Sequence, residues 1–140
     1  MATEDGSPLD AALARVGDRW TLLVVDALLR GPARFNDLLE SVKGIAPNIL
    51  SQRLKHLEQE AMVVARPYSK RPPRSAYELT AVGRDLAGAL RLLAQWGARS
   101  SGLAGAPRHV ACGTPMEARW YCPTCARVVE DAEDPELRFV

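Results

Sequence analysis

Four residues near the end of the chain have the types and spacing of metal ligands. In HVACGTPMEARWYCPTC, His109 and Cys112 form H-x2-C, Cys122 and Cys125 form C-x2-C, and nine residues separate the pairs. Each pair can wrap one edge of an ion, and a short strand hairpin between them brings the edges together. Gly113 permits a tight turn after the first pair, and Pro123 stiffens the second. One nitrogen and three sulfurs make a closed tetrahedral Zn2+ site, structural because no position is left for water. His109, following a linker, is the weakest of the four ligands, and Glu117 is a competing oxygen donor. The C-x2-C pair also suits a redox dithiol, although no strand-to-helix context of the thioredoxin type surrounds it, and unligated thiols are the third reading. A thiolate-rich site is in addition open to oxidation, with loss of its metal.

A second set of residues is polar and basic. With Leu50, Leu54 and Leu57 turned inward on a helix that starts at Pro47, the outward positions are Asn48, Ser51, Gln52, Lys55 and Gln59, flanked by Arg53 and His56. No acid stands among the first eight residues of this helix. Amides suit adenine edges and lysine suits guanine, so the face has the composition of a base-reading surface, although a plain solvated face has similar polarity. VVARPYSKRPPRSAYELT, residues 63–80, then places Lys70, Arg71 and Arg74 around Pro72 and Pro73. A proline-stiffened cationic tip is a good phosphate clamp with little entropy left to lose; its plain alternative is a solvated turn. Arg34, ahead of the helix pair, completes the candidate DNA contacts.

These side chains need elements to hold them. Ser7 and Pro8 open a short first helix carrying Leu9, Ala12, Leu13 and Val16 on one face. Asp18 caps RWTLLVVDALLRG, a strongly apolar central helix that stops at Gly31. Phe35, Leu38, Leu39 and Val42 mark a helix of about two turns, Gly44 breaks it, and Pro47 starts the next, which is the helix-turn-helix pattern. Residues 63–80 predict a two-stranded hairpin whose prolines forbid regular pairing at the tip. Thr80 caps one long helix over 81–99 with Val82, Leu86, Ala89, Leu90, Leu93 and Trp96 in a stripe, more apolar surface than one small core covers, so docking on a second copy is expected. Trp20 and Trp96 invite a ligand-pocket reading, but their apolar helix faces favour a core role.

Across residues 9–100 the chain resembles the HxlR-type winged helix-turn-helix transcriptional regulators. The resemblance rests on RWTLLVV, GPARFNDL, GIAPNILSQRLKHLE and YELTAVG, in that order, and on the later WG. It implies a homodimer joined by terminal helices on a two-fold related operator. It also implies base-facing roles for Asn48, Ser51, Gln52 and Lys55, with Lys70, Arg71 and Arg74 on the wing. Two positions depart from the family pattern. No cysteine precedes Leu9, where many members carry a redox-sensing one, and Ala46 replaces the serine that commonly caps the recognition helix.

The expected architecture is mainly α with a small β-hairpin wing. A winged helix-turn-helix over 1–100 is followed by a linker over 101–108, a zinc-ribbon-like module over 109–130 and an acidic tail over 131–140. Residues 43–74 carry seven Lys and Arg against Glu58 and Glu60, while Glu130, Asp131, Glu133, Asp134 and Glu136 dominate the C-terminal stretch, the asymmetry expected when only one face meets a polyanion. The expected function is sequence-specific regulation of transcription, as a homodimeric repressor on double-stranded DNA, with a small-molecule or redox effector compatible with that class. The alternative is a zinc-containing protein-interaction adaptor. An enzyme is not expected, since no paired carboxylates, Ser/His/Asp set or phosphate-cradling loop accompanies the cysteines. The N-terminal MATEDGSPLD lacks the apolar centre of a secretory signal, and no run reaches the length of a membrane span, so a cytoplasmic location is expected.

Overall fold

The computed structural model describes residues 6–103 and 105–129; the expected acidic tail lies outside them. Helix α1 (Pro8–Val16) begins as its sequence dictates, with Ser7 Oγ accepting from Asp10 N at 3.1 Å and the Asp10 carboxylate accepting from Ser7 N at 3.3 Å. Only Val16 of its apolar face is buried, and Leu9 and Leu13 are exposed. Helix α2 (Arg19–Leu28) starts where the Asp18 carboxylate accepts from Thr21 N at 3.0 Å. Its Thr21, Val24, Val25 and Leu28 are the centre of the core, and Trp20 packs against that core with Arg19 stacked over its ring.

Strand β1 (Ala33–Arg34) leads into α3 (Phe35–Ser41), and a turn through Gly44, at φ 85°, leads to α4 (Pro47–Gln59). Leu38 from α3 and Leu50, Leu54 and Leu57 from α4 close on the α2 residues, so the helix-turn-helix is held by the same core that buries α2. Strands β2 (Val63–Lys70) and β3 (Pro73–Leu79) form the wing, and β1 pairs with the other side of β3 to give the order β1-β3-β2. The sheet therefore has three strands where the sequence predicts two. A two-residue strand carries no readable propensity; its existence comes from the Ala33–Tyr77 and Arg34–Ala76 pairings.

Pairing also runs closer to the wing tip than its prolines lead one to expect. Pro73 opens β3 opposite Lys70, leaving Arg71 and Pro72, joined by a cis peptide, as the turn. Pro at the first residue of a strand withholds no needed donor, and Pro67 is tolerated because β2 is an edge strand.

The single helix expected over 81–99 is two helices, α5 (Ala81–Arg84) and α6 (Ala87–Ser101). Leu86 N bonds the carbonyl three residues back, on Gly83, at 3.3 Å, so the chain tightens at the joint before the regular Leu90 N to Leu86 O bond resumes. Trp96 is 65% exposed, contrary to its expected core role, and Leu92 and Leu93 are exposed with it. The chain divides into two compact units, one ending at Leu90 and one beginning at Arg91. The second holds most of α6 and a two-stranded sheet of β4 (Trp120–Cys122) and β5 (Arg127–Val129).

Candidate nucleic-acid interface

Helix α4 has a buried seam and an open face. Leu50, Leu54 and Leu57 are buried, while Pro47, Asn48, Ser51, Gln52, Lys55 and Gln59 are exposed. Ala46 at the N-cap offers no side-chain acceptor, so the first-turn N–H groups of α4 depend on Pro47's lack of a donor and on outside partners.

Ion pairing divides the basic residues of the first unit. Arg15 Nε lies 2.6 Å from Glu60 Oε2, and Arg66 and Arg84 share Glu78, at 2.8 and 3.2 Å. These bonds, the Arg66 hydrogen bond foremost, hold the Glu78 carboxyl below its usual range. Arg53, expected beside the base-reading face, is half-buried with Nε 2.8 Å from the Asp18 carboxylate, at ion-pair distance though not aligned as a hydrogen bond. Its charge is thereby answered by the N-cap of α2. Lys55, Lys70, Arg71 and Arg74 are exposed and have no ion pair among the described residues.

Arg34 is neither of these. Its guanidinium lies 4.6 Å from the centroid of the Tyr68 ring, and Tyr68 sits at the bulge in β2 between Pro67 and Ser69. The contact ties the β1–α3 corner to the wing and lines a cleft with Asn36, Asp37, Arg74 and Ser75. Nothing in the sequence pairs Arg34 with Tyr68. The same is true of His56, which is half-buried and donates from Nε2 to the Arg15 carbonyl at 2.7 Å, fastening α1 to α4. Burial, and after it Glu58, pushes the Tyr77 hydroxyl above its ordinary pKa.

Residues 15–103 match the HxlR-like helix-turn-helix family. The chain belongs to that family. Its HxlR-like segment thus runs from the end of α1 through α6 and includes every candidate DNA contact. The uncharacterized HTH-type transcriptional regulator Rv3095 of Mycobacterium tuberculosis is 36% identical over 129 residues, covering 89% of this chain and 81% of that one. The reduced form of the transcriptional regulator YodB from Bacillus subtilis superposes with a TM-score of 0.58 at 29% identity, over 69% of this chain and 95% of that one. PA1374 of Pseudomonas aeruginosa, described as a candidate transcription factor, gives 0.66 at 29% identity over 94% of this chain and 95% of that one. The winged helix-turn-helix is thereby the fold of this HxlR-like protein, and transcription regulation with DNA binding its class of work, one of regulators rather than enzymes. The adaptor reading gains no support from these relatives. No helix among the described residues is long and apolar enough to cross a membrane.

In the second unit the four metal candidates form two pairs. His109 Nδ1 is 3.3 Å from Cys112 Sγ, and Cys112 shares a 3.2 Å hydrogen bond with the Thr114 hydroxyl. Cys122 accepts hydrogen bonds from Cys125 and from the Thr124 N–H. These bonds lower both thiols from their ordinary pKa, that of Cys112 first through the Thr114 hydroxyl and that of Cys122 first through the Cys125 N–H. Among the described residues no three His, Cys, Asp or Glu side chains converge into one metal-holding group. Glu117, the alternative oxygen donor, is ion-paired with Arg119.

Proposed function

We propose that the protein is a homodimeric repressor that reads a two-fold related operator through α4 and steadies itself with the wing. One observation carries this reading. The exposed cations without an ion pair among the described residues include Lys55 on the open face of α4 and, clustered at the wing tip, Lys70, Arg71 and Arg74, whereas Arg15, Arg53, Arg66 and Arg84 are ion-paired. Three such charges gathered at one tip repel one another, and backbone phosphates are partners of the chemistry that would answer them.

Asn48, Ser51, Gln52 and Lys55 face base edges in the major groove, with Pro47 at the entry of the helix. Lys70, Arg71 and Arg74 take backbone phosphates, and Arg34 positions the wing through Tyr68. Arg53 works inside the protein, holding α4 against the start of α2. The dimer is supported by uncovered apolar helix surface in both units, Leu9 and Leu13 on α1 and Leu92, Leu93 and Trp96 on α6. Repression follows if the operator overlaps a promoter, and the work is done in the cytoplasm where the DNA is.

The test is footprinting on the DNA upstream of the protein's own gene. Two protected half-sites, a whole number of helical turns apart at about 10 to 10.5 base pairs each, are expected. Protection of a single asymmetric half-site, or of none, would refute the dimeric operator reading.

A further inference from the structure

Among its described residues the segment after α6 has no core. No described residue from Arg91 to Val129 is buried, and Val110, Trp120 and Tyr121 are all more than half exposed. What order it has comes from two hairpin loops. In the first, Arg108 bridges Pro115, His109 N donates to Thr114 O at 2.9 Å, and Gly113 N donates to His109 O at 2.7 Å. In the second, the β4–β5 ladder closes at Cys122 opposite Arg127. An isolated two-stranded hairpin is marginal in water, and a module of this size without a core needs a cross-link or a metal.

The two loops share a geometry that points to the metal. Each begins with one candidate ligand and carries the second three residues on, and in each the residue after the second ligand is left-handed: Gly113 at φ 70° and Ala126 at φ 52°. For alanine that conformation costs about 1 to 2 kcal/mol and no side-chain chemistry demands it there. Backbone N–H groups of Thr114 and Thr124 already point at the sulfurs of Cys112 and Cys122, the outer hydrogen bonds that orient thiolate ligands.

We propose that His109, Cys112, Cys122 and Cys125 are the ligands of one zinc ion, and that binding this ion is what joins the two loops into a folded module. The donors fit in type and number, and each pair is already formed, with His109 Nδ1 and Cys112 Sγ 3.3 Å apart. The two pairs do not converge by themselves, so their approach to ligand distances of about 2.0 to 2.3 Å is work done by the ion. Binding a thiol releases its proton to solvent, and the sulfur pair enters the metal's coordination sphere without change of oxidation state. This proposal stands apart from the DNA reading, which concerns the first unit.

The experiment uses the full-length chain, stripped with a chelator under reductant, then titrated with cobalt(II) and back-titrated with zinc. One cobalt per chain is expected, with the visible bands of a tetrahedral ion and sulfur-to-cobalt charge transfer scaled to three thiolates, and one equivalent of zinc should erase both. Cys112→Ser and Cys125→Ser should each weaken binding at least tenfold, because neither pair suffices alone. Near-ultraviolet circular dichroism from Trp120 and Tyr121 should change on adding zinc. Two ions per chain, wild-type affinity in Cys112→Ser, no saturable binding, or a reversible Cys122–Cys125 disulfide in place of a bound metal would each overturn the proposal. DNA binding measured on the same samples keeps failure of the metal site distinct from failure of the regulator reading.

Discussion

At the residue scale, the proposed DNA-contacting cation of α4 differs from its structural one in whether an ion pair already meets the charge. Arg53 and Lys55 sit two positions apart on α4, yet the first reaches back to Asp18 and the second is exposed without an ionic partner among the described residues. Arg53→Ala should therefore act mainly on stability. The pair is about one-third exposed on each side, which limits the loss to about 0.5 to 1 kcal/mol, read by urea unfolding. Gln52→Ala and Asn48→Ala should leave stability alone and weaken a specific operator by about 1 to 3 kcal/mol while leaving random DNA nearly unchanged. Arg71→Ala should weaken both DNAs together and flatten the salt dependence by about one phosphate. Equal losses on every sequence for all three variants would remove the base-reading assignment. The polar face of α4 was legible from the Leu50, Leu54 and Leu57 spacing alone. Arg53's turn toward Asp18 was not, because wheel position gives a direction and not the partner that waits across a tertiary contact.

Elements were legible where local signals agreed. The Ser7 and Asp18 caps, Pro47 at the start of α4 and the apolar run of α2 each mark a boundary or a face that the fold keeps. The misreadings came where tertiary contact decides. β1 exists only through β3, and the long terminal helix breaks because α5 is drawn onto the end of α4. At that crossing Thr80 Oγ1 donates to Ala61 O at 2.6 Å, and Thr80 N donates to Met62 O at 2.9 Å. Gly83 makes the approach feasible, since a Cβ there would stand 2.3 Å from Met62 O and 2.9 Å from Leu79 Cδ2. Gly83→Ala should thus cost about 1 to 3 kcal/mol by overpacking, visible as a lower Tm, whereas Gly88→Ala, where a Cβ meets nothing within 4 Å, should leave Tm unchanged or raise it slightly. If both glycines tolerated alanine equally, the close approach at Gly83 would not be what fixes α5.

For the whole molecule, the apolar stripe of the terminal helix was legible in the sequence, and what it packs against was not. Trp96 looked like core by periodicity, and it is exposed together with Leu93. An exposed Trp and two leucines on one helix are costly for a lone chain, and a second copy is the covering that the helix pattern favours. Leu93→Glu should give monomers in sedimentation at micromolar concentration, with two-half-site operator binding weakened more than half-site binding; an unchanged dimer would locate the interface elsewhere.

The central claim, that Lys55 of α4 and the cations of the wing tip meet nucleic acid, is tested most directly by titrating the protein with the duplex upstream of its own gene and with a random duplex, each at two salt concentrations. The predicted result is tighter binding to the upstream duplex and a logarithmic salt slope of about 0.9 per phosphate contacted, summed over the contacts of a dimer. Binding to neither duplex, or binding that ignores salt, would contradict it.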